Sequence, residues 1–136
     1  MSGEPAYSVL MTAYRTEDTV GRAIGSVLDQ TWRDWELVVV DNGRSDEMAA
    51  VVRPFLLDPR VRLVRQENRG AAGGIRTAAE HARGRWLVVL NSDDHVAPTF
   101  LARMLEVVAA HPGVAAVTCD AVRFSDTEPD PPGSYL

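Results

Sequence analysis

Five short apolar runs mark the chain, and between them apolar residues recur at helical spacing. Tyr7–Tyr14 (YSVLMTAY), Trp35–Val40 (WELVVV), Val61–Val64, Trp86–Leu90 (WLVVL) and Val114–Val122 are rich in β-branched and aromatic residues, and each predicts a buried strand. After the first run, Val20, Ile24, Val27 and Leu28 share one face of a helix that Asp18 or Thr19 can cap. Gly21 and Gly25 weaken that helix and are read as permitting close packing. Asn42-Gly43 is a hairpin signal in isolation. No alternating strand follows it, and Met48, Val51, Val52 and Phe55 mark a helix instead. Gly70–Gly74 (GAAGG) reads as a loop or frayed start ahead of the helix marked by Ile75, Ala78, Ala79 and Ala82, which Gly84 ends. Pro98 suits the first turn of a last helix whose apolar face is Leu101, Met104, Leu105 and Val108.

Continuous apolar strands separated by helices predict an α/β fold, a mostly parallel sheet with helices on both faces. The 136 residues suffice for one compact domain. We place that domain at residues 1–124, and read 125–136 (SDTEPDPPGSYL) as an acidic, proline-rich linker or frayed tail.

Charge and cysteine narrow the partners. The net charge of -5 makes the chain a poor binder of nucleic acid or of an anionic membrane surface. A phosphate compound would need a local cation or backbone amides. The single cysteine, Cys119, precludes a disulfide within the chain, which points to a reducing cytoplasm; in its apolar run it reads as a small buried hydrophobe. The N-terminus has neither the basic nor the apolar region of a signal peptide, and no apolar run approaches the roughly 20 residues of a membrane helix.

In an open parallel sheet, ligands bind beyond the carboxyl ends of the strands. The first strand delivers Thr12, Tyr14 and Glu17 there, the second Asp41, Asn42 and Asp46, and the fourth Asn91, Ser92, Asp93 and Asp94. Glu67, Asn68 and Arg69 follow the third. Adjacent carboxylates repel unless a cation or solvent separates them. Mg²⁺ or Mn²⁺ commonly takes one or two carboxylates plus substrate phosphates. Asp93-Asp94 therefore reads either as such a site or as a solvated turn opening the next helix. Asp41 reads either as turn chemistry or as an acceptor for a base or ribose. Tyr14 offers a ring to stack on a base or to close the core. Arg76, one turn into a helix, reads as a phosphate partner or a surface residue. The arginines at 60, 62, 65 and 69 read as a solvated edge.

These segments in this order resemble family-2 glycosyltransferases of the GT-A fold, a Rossmann-like nucleotide-diphospho-sugar transferase fold. The resemblance is carried by SVLMTAYRTEDTVGRAIGSVLDQTWRDWELVVVDNGRSD, by VRLVRQENRGAAGGIRTAAEHARGRWLVVLNSDD and by the helix after them, and covers about Tyr7 to about Val122. It implies that Tyr14, with Thr12 beside it, packs on the nucleobase, that Asp41 hydrogen-bonds it, and that Glu17 and Arg76 lie near the nucleotide. It implies further that the motif of Ser92, Asp93 and Asp94 takes the ribose, the diphosphate and a divalent metal, Mn or Mg, with Asp93 and Asp94 as the metal ligands. The donor would be a UDP-, GDP- or dTDP-linked sugar, transferred with inversion to an acceptor hydroxyl.

Two local departures stand out. The family commonly has proline before the strand-one threonine and asparagine after its tyrosine, where this chain has Met11 and Arg15. The first acid of the common Asp-x-Asp is Asn91 here, which shifts the metal and ribose roles onto Asp93 and Asp94. In the family the acceptor site and catalytic base lie beyond the segment matched, so this chain reads as a truncated, donor-binding portion with a sheet edge open to dimerisation. A non-catalytic nucleotide- or protein-binding module is the alternative. A dinucleotide oxidoreductase is excluded because Tyr14-Arg15-Thr16-Glu17 contains no glycine. A phosphoreceiver is excluded because these acids follow strands two and four.

Overall fold

The computed structural model describes residues 3–122. The chain divides into two units, Met1–Ala102 and Arg103–Leu136. Within the first, β1 (Tyr7–Ala13), β2 (Trp35–Asn42), β3 (Val61–Gln66) and β4 (Trp86–Val89) form one sheet of order β3-β2-β1-β4. Every pairing is parallel. Helices α1 (Val20–Leu28), α2 (Asp46–Val52) and α3 (Gly70–Glu80) make the crossovers, α2 running on into a 3₁₀ turn at Arg53–Leu57. Helix α4 (Phe100–Ala110) follows β4. No described helix is long and apolar enough to cross a membrane.

The two central strands explain the absence of alternation. β2 is buried at all eight positions, because helices cover both its faces and a polar side chain on either would lie in the core. Leu10, Val38 and Val40 face α3, where Ala78 meets them. Val9, one residue out of phase with Leu10, lies with Val27 of α1 and Leu101 of α4 on the other face. On α1, Val20, Ile24 and Val27 are the buried stripe, as their spacing predicts. Gly21 and Gly25 are not close-packing devices: a Cβ at Gly21 would sit an ordinary 3.8 Å from Phe55, and one at Gly25 would meet nothing within 4 Å.

One other expectation is resolved and three change. Of the two readings of Gly70–Gly74, loop or frayed helix start, the structure has the helix start: the segment opens α3. Glycine weakens a helix by about 1 kcal/mol relative to alanine, and here packing against the sheet offsets that. Helix α3 stops at Glu80, ahead of Gly84. Gly84 serves another purpose, since a Cβ there would lie 2.5 Å from the Ser8 amide nitrogen and hydroxyl. Pro98 precedes α4 rather than opening it, and its carbonyl accepts the Thr31 amide at 2.9 Å. The fifth strand is absent: residues 114–122 form no ladder among the described residues, and Cys119 is exposed rather than buried. An apolar run becomes a strand only where a neighbouring edge takes up its backbone bonds, and among the described residues none does so here. The predicted tail, 125–136, lies outside the described residues.

Of the basic run, Arg69 is exposed as expected, but Arg60, Arg62 and Arg65 are tied to the sheet rather than simply solvated. Arg60 stacks on the Trp35 ring at 3.8 Å and bonds Asp58 and the Arg33 carbonyl. Arg65 joins Asp41 at 3.0 Å to Asp46 at 2.9 Å. Arg62 bonds Glu36 at 3.0 Å and the His81 carbonyl at 2.6 Å. Glu36, missed in the apolar run of β2, is only 3% exposed. It accepts the Ser8 hydroxyl and the Arg83 amide, each at 2.6 Å. The Ser8 hydroxyl in turn accepts the Gly84 amide at 2.7 Å. This polar knot holds the turn leading into β4 against β1 and β2.

Burial alone would raise the Glu36 pKa, but the Ser8 hydroxyl, the Arg83 amide and the two guanidinium groups together hold it below its ordinary 4.5. The folded-state value lies below the unfolded one, so the stabilisation is complete above about pH 4.5 and is lost as pH falls through the folded value. Glu36→Gln is therefore expected to lower stability at neutral pH by about 1–3 kcal/mol, as buried donors lose their charged partner, and to flatten the acid limb. Urea unfolding between about pH 3 and 7 checks this; an acid limb left unchanged by Glu36→Gln would contradict it. Gly84→Ala, which drives a methyl into the β1 backbone, is expected to cost about 1–3 kcal/mol in the same assay.

Candidate functional site

All four strands are parallel, so their carboxyl ends share one edge of the sheet. At that edge a cavity of about 480 Å³ opens. Thr12, Tyr14 and Thr16 line it from the end of β1, Asn42 from β2, Asn68 from the turn after β3, and Gly70, Ala71 and Ile75 from α3. Val89, Asn91, Ser92 and Asp93 close it from β4 and beyond. Among the described residues this lining is neutral apart from Asp93.

Helix α1 holds the segment after β4 in place. The Thr19 hydroxyl, instead of capping its own helix, donates to the Ser92 carbonyl at 3.0 Å. The Thr16 and Ser92 hydroxyls bond at 2.7 Å. The Ser26 hydroxyl accepts the Val96 amide at 3.2 Å. Buried Gln30 donates to the Ala97 carbonyl at 2.7 Å and accepts the Leu101 amide at 3.0 Å. Asp93 and Asp94 thus sit on a short turn pinned on both sides, which the Asp94 amide closes by donating to the Asn91 carbonyl at 3.1 Å. The Asn91 amide also donates to the Asp94 carboxylate at 3.2 Å, directing it toward Asn91.

Tyr14 is 44% exposed at the cavity mouth. Gly43 packs close to its ring; a Cβ there would come within 3.2 Å of it. The Arg15 guanidinium lies 5.1 Å from the ring centroid. Arg15 has φ 55, in the left-handed region that asparagine enters at less cost. This is the position at which the chain departs from the asparagine common in the family it resembles. The Thr12 hydroxyl is buried without a hydrogen-bond partner among the described residues, against Gly74 of α3.

Of the residues that the sequence places at this edge, the structure brings Thr12, Tyr14, Asn42, Asn68, Asn91, Ser92 and Asp93 together around this cavity. The Ser92 hydroxyl is already engaged by Thr16. Asp41 is 1% exposed behind the wall, accepting the Ser45 amide at 3.1 Å and Arg65 at 3.0 Å. Glu17 accepts the Ser45 hydroxyl at 3.0 Å, so Ser45 joins it to Asp41. Arg76 points outward, with 83% of its side chain exposed, and pairs with Glu80. Asp94 lies beside the cavity rather than in its lining.

Thr16, Asn42 and Gln30 were the residues that pattern reading undervalued. Asn42 closes the apolar run of β2, a usable signal, whereas Thr16 and Gln30 lie among polar neighbours and carry none.

Among the described residues, no three or more His, Cys, Asp or Glu side chains converge to hold a metal. Mg²⁺ and Mn²⁺ demand less than that when phosphates complete the shell, since one or two carboxylates suffice. The hard, exposed oxygens of Asp93 and Asp94 fit such a shared site.

Comparison with known proteins shows the family and the fold. Residues 8–134 match the family described as Glycosyl transferase family 2. The chain is 44% identical over 103 residues to the succinoglycan biosynthesis protein ExoO of Rhizobium meliloti, covering 75% of this chain and 29% of that protein. It is 42% identical over 88 residues to the UDP-Glc:alpha-D-GlcNAc-diphosphoundecaprenol beta-1,3-glucosyltransferase WfgD of Escherichia coli, covering 64% and 34%. In structure it is similar to the mannosyltransferase PcManGT of Pyrobaculum calidifontis, solved with GDP-Man and Mn²⁺. That match has a TM-score of 0.77 and 28% identity, and covers 92% of this chain and 38% of the other. The chain thus spans about a third of the length of these proteins.

The contact between α3 and β1 sets the depth of the cavity. Gly74→Ala would place a methyl on Thr12. We expect it to lower stability by about 1–3 kcal/mol and to displace the start of α3. Thermal unfolding, with amide chemical shifts of residues 70–75, checks this, and wild-type values for both would refute the close-contact role.

Proposed function

This chain belongs to glycosyl transferase family 2, and from that premise we propose that its cavity binds a nucleoside-diphosphate sugar, with Asp93 and Asp94 meeting the diphosphate through a shared Mn²⁺ or Mg²⁺. The observation that carries this reading is the charge of the lining. Among the described residues no basic side chain lines the cavity, and its one formal charge is the Asp93 carboxylate. A diphosphate placed there against Asp93 would be repelled by several kcal/mol unless a cation stood between them; at about 4 Å and an effective dielectric near 20, each charge pair amounts to roughly 4 kcal/mol. A divalent cation reverses the sign of that interaction.

In this reading Tyr14 presents its exposed ring to the nucleobase beside Asn42 and Asn68. Thr12 lines the wall beside it, with its hydroxyl buried against Gly74. Asp41 acts from behind the wall by fixing Arg65 and the Ser45 turn, and Glu17 supports the same turn. Arg76, paired with Glu80 on the outer face of α3, contributes at most long-range charge. Asn91 directs the Asp94 carboxylate, and the bonds from Thr16 and Thr19 keep the turn from collapsing when charge is added. A bound metal would supply Lewis-acid stabilisation of the departing diphosphate.

The parent protein's reaction is then transfer of the sugar to an acceptor hydroxyl with inversion at the anomeric carbon. The hydroxyl oxygen forms the new bond, the bond to the diphosphate oxygen breaks, and a base takes the hydroxyl proton. None of the described residues is assigned as that base. WfgD carries a UDP-linked donor in its name, and PcManGT was solved with GDP-Man, so both bases belong in the test. The single cysteine, Cys119, fits a reducing compartment, and the reading sets the domain in the cytoplasm.

Calorimetric titration with UDP and GDP, with and without Mn²⁺, tests the proposal. Binding of one of them should require the metal, and Asp93→Ala should weaken it by about tenfold or more, with Asp94→Ala close behind. Metal-independent binding, or binding untouched by both substitutions, would remove the basis for the site.

A further inference from the structure

We infer that β4 is the seam of a homodimer, its outer edge pairing antiparallel with the same edge of a second copy. β4 ends the sheet, and among the described residues its one neighbour is β1. The Trp86 amide donates to the Ala6 carbonyl at 2.9 Å, and the Leu90 amide to the Leu10 carbonyl at 3.0 Å. In a parallel ladder, residues one position out of phase with such donors turn their backbone groups the other way. The N–H and C=O groups of Leu87 and Val89 therefore line the outer edge, and no described strand takes them up.

That edge lacks the features that keep sheets apart. Edges are usually blunted by charge, proline or a bulge. β3, at the opposite edge, carries Arg62 and Arg65. β4 reads Trp86-Leu87-Val88-Val89, with no charge, proline or glycine. Leu87 is 54% exposed and Val89 53%. They pair in register with Ser8 and Leu10, so both lie on the face that Leu10 presents to α3. Open backbone groups and an uncovered apolar pair thus share one strand.

Charge selects the partner and its direction. Arg83 and Arg85 precede β4, Asp93 and Asp94 follow it, and all four are exposed. The Arg83 side chain stays 69% exposed while it pairs with Glu36. Two copies laid antiparallel bring the basic end of each strand to the acidic end of the other, and two-fold symmetry makes that contact twice. Parallel pairing would set like charges together. A two-fold axis at Val88 matches outward-facing residues with outward-facing residues. Leu87 of each copy then lies opposite Val89 of the other, and Arg83 opposite Asp93. Val89 also lines the cavity, so the second copy would border it. A seam of two four-residue strands is short against the roughly 1,200 Å² of a standard interface, which makes the dimer weak and dependent on concentration.

Sedimentation equilibrium of the 136-residue chain, from about 5 to about 500 µM, tests the inference. A monomer–dimer equilibrium is expected. Leu87→Lys, which places a charge in the seam from each copy, should weaken it about tenfold or more; Arg85→Glu, which sets acidic ends together, should weaken it about threefold or more. Both positions are exposed, so circular dichroism and thermal unfolding should match wild type. A wild-type chain that stays monomeric throughout overturns the inference and leaves the edge to another occupant. A dimer that either variant leaves at wild-type strength, or that Arg85→Glu tightens, also overturns it, since the seam or its direction is then wrong. If Leu87→Lys does not fold, Arg85→Glu decides by the same criterion. The donor-site reading stands or falls separately, on nucleotide titration.

Discussion

Strand β1 lies between β2 and β4 and runs parallel to both, and the rest of the structure depends on that pairing. Parallel pairing brings the carboxyl ends of four strands to one edge. It also buries β1 and β2 on both faces, so their middle stretches, Val9–Met11 and Leu37–Val40, are continuously apolar. The close approaches follow from the same constraint. Gly84 lets the turn before β4 pass against the β1 backbone, and Gly74 lets α3 settle onto Thr12. A side chain at either point would push a neighbour away from β1 and spread the edge on which the cavity is built.

Two kinds of force divide the molecule. Apolar packing forms the layers, with α3 on one face of the sheet and α1 with the start of α4 on the other. Polar bonds do the positioning, and they concentrate at the two ends of the strands. At the amino end, Glu36 gathers Ser8, Arg62 and Arg83 into a knot that sets where β4 begins. At the carboxyl end, Thr16, Thr19, Ser26 and Gln30 hold the segment carrying Asp93 and Asp94, while Asn42 holds the turn opposite. Hydrophobic burial is non-directional and cannot by itself place a carboxylate to within an ångström. Directional bonds between buried groups can.

The charge of the cavity ties this division to chemistry. A neutral wall faces a single carboxylate across a space large enough for a nucleotide. Three arginines are at work elsewhere, Arg60 on Trp35, Arg62 on Glu36, and Arg65 between Asp41 and Asp46, while Arg15 lies over the Tyr14 ring at the cavity mouth. An acidic site whose described lining holds no cation suits a ligand that arrives with a metal.

Much of this was legible in the sequence. Continuous apolar runs alternating with helical stripes were enough for a parallel α/β fold, because burial on both faces removes the polar alternation that a half-exposed strand would need. The same pattern placed Thr12, Tyr14, Ser92 and Asp93 at one edge, because strand ends follow from strand limits. The partners each side chain chose were not legible. The resemblance implies roles at the nucleotide for Asp41, Glu17 and Arg76, and in the structure Asp41 turns to Arg65, Glu17 to Ser45 and Arg76 to Glu80. Residues 114–122 have the composition of a strand and form none, since pairing needs an edge as well as a propensity. Glu36 looked like a single polar residue within an apolar run and Asn42 like a turn residue beside Asp41, and only folding gave each its several partners. Local pattern is set by which residues must leave water, and the chain carries that information residue by residue. Hydrogen-bond partners are set by distances between segments, which exist only once the sheet has closed.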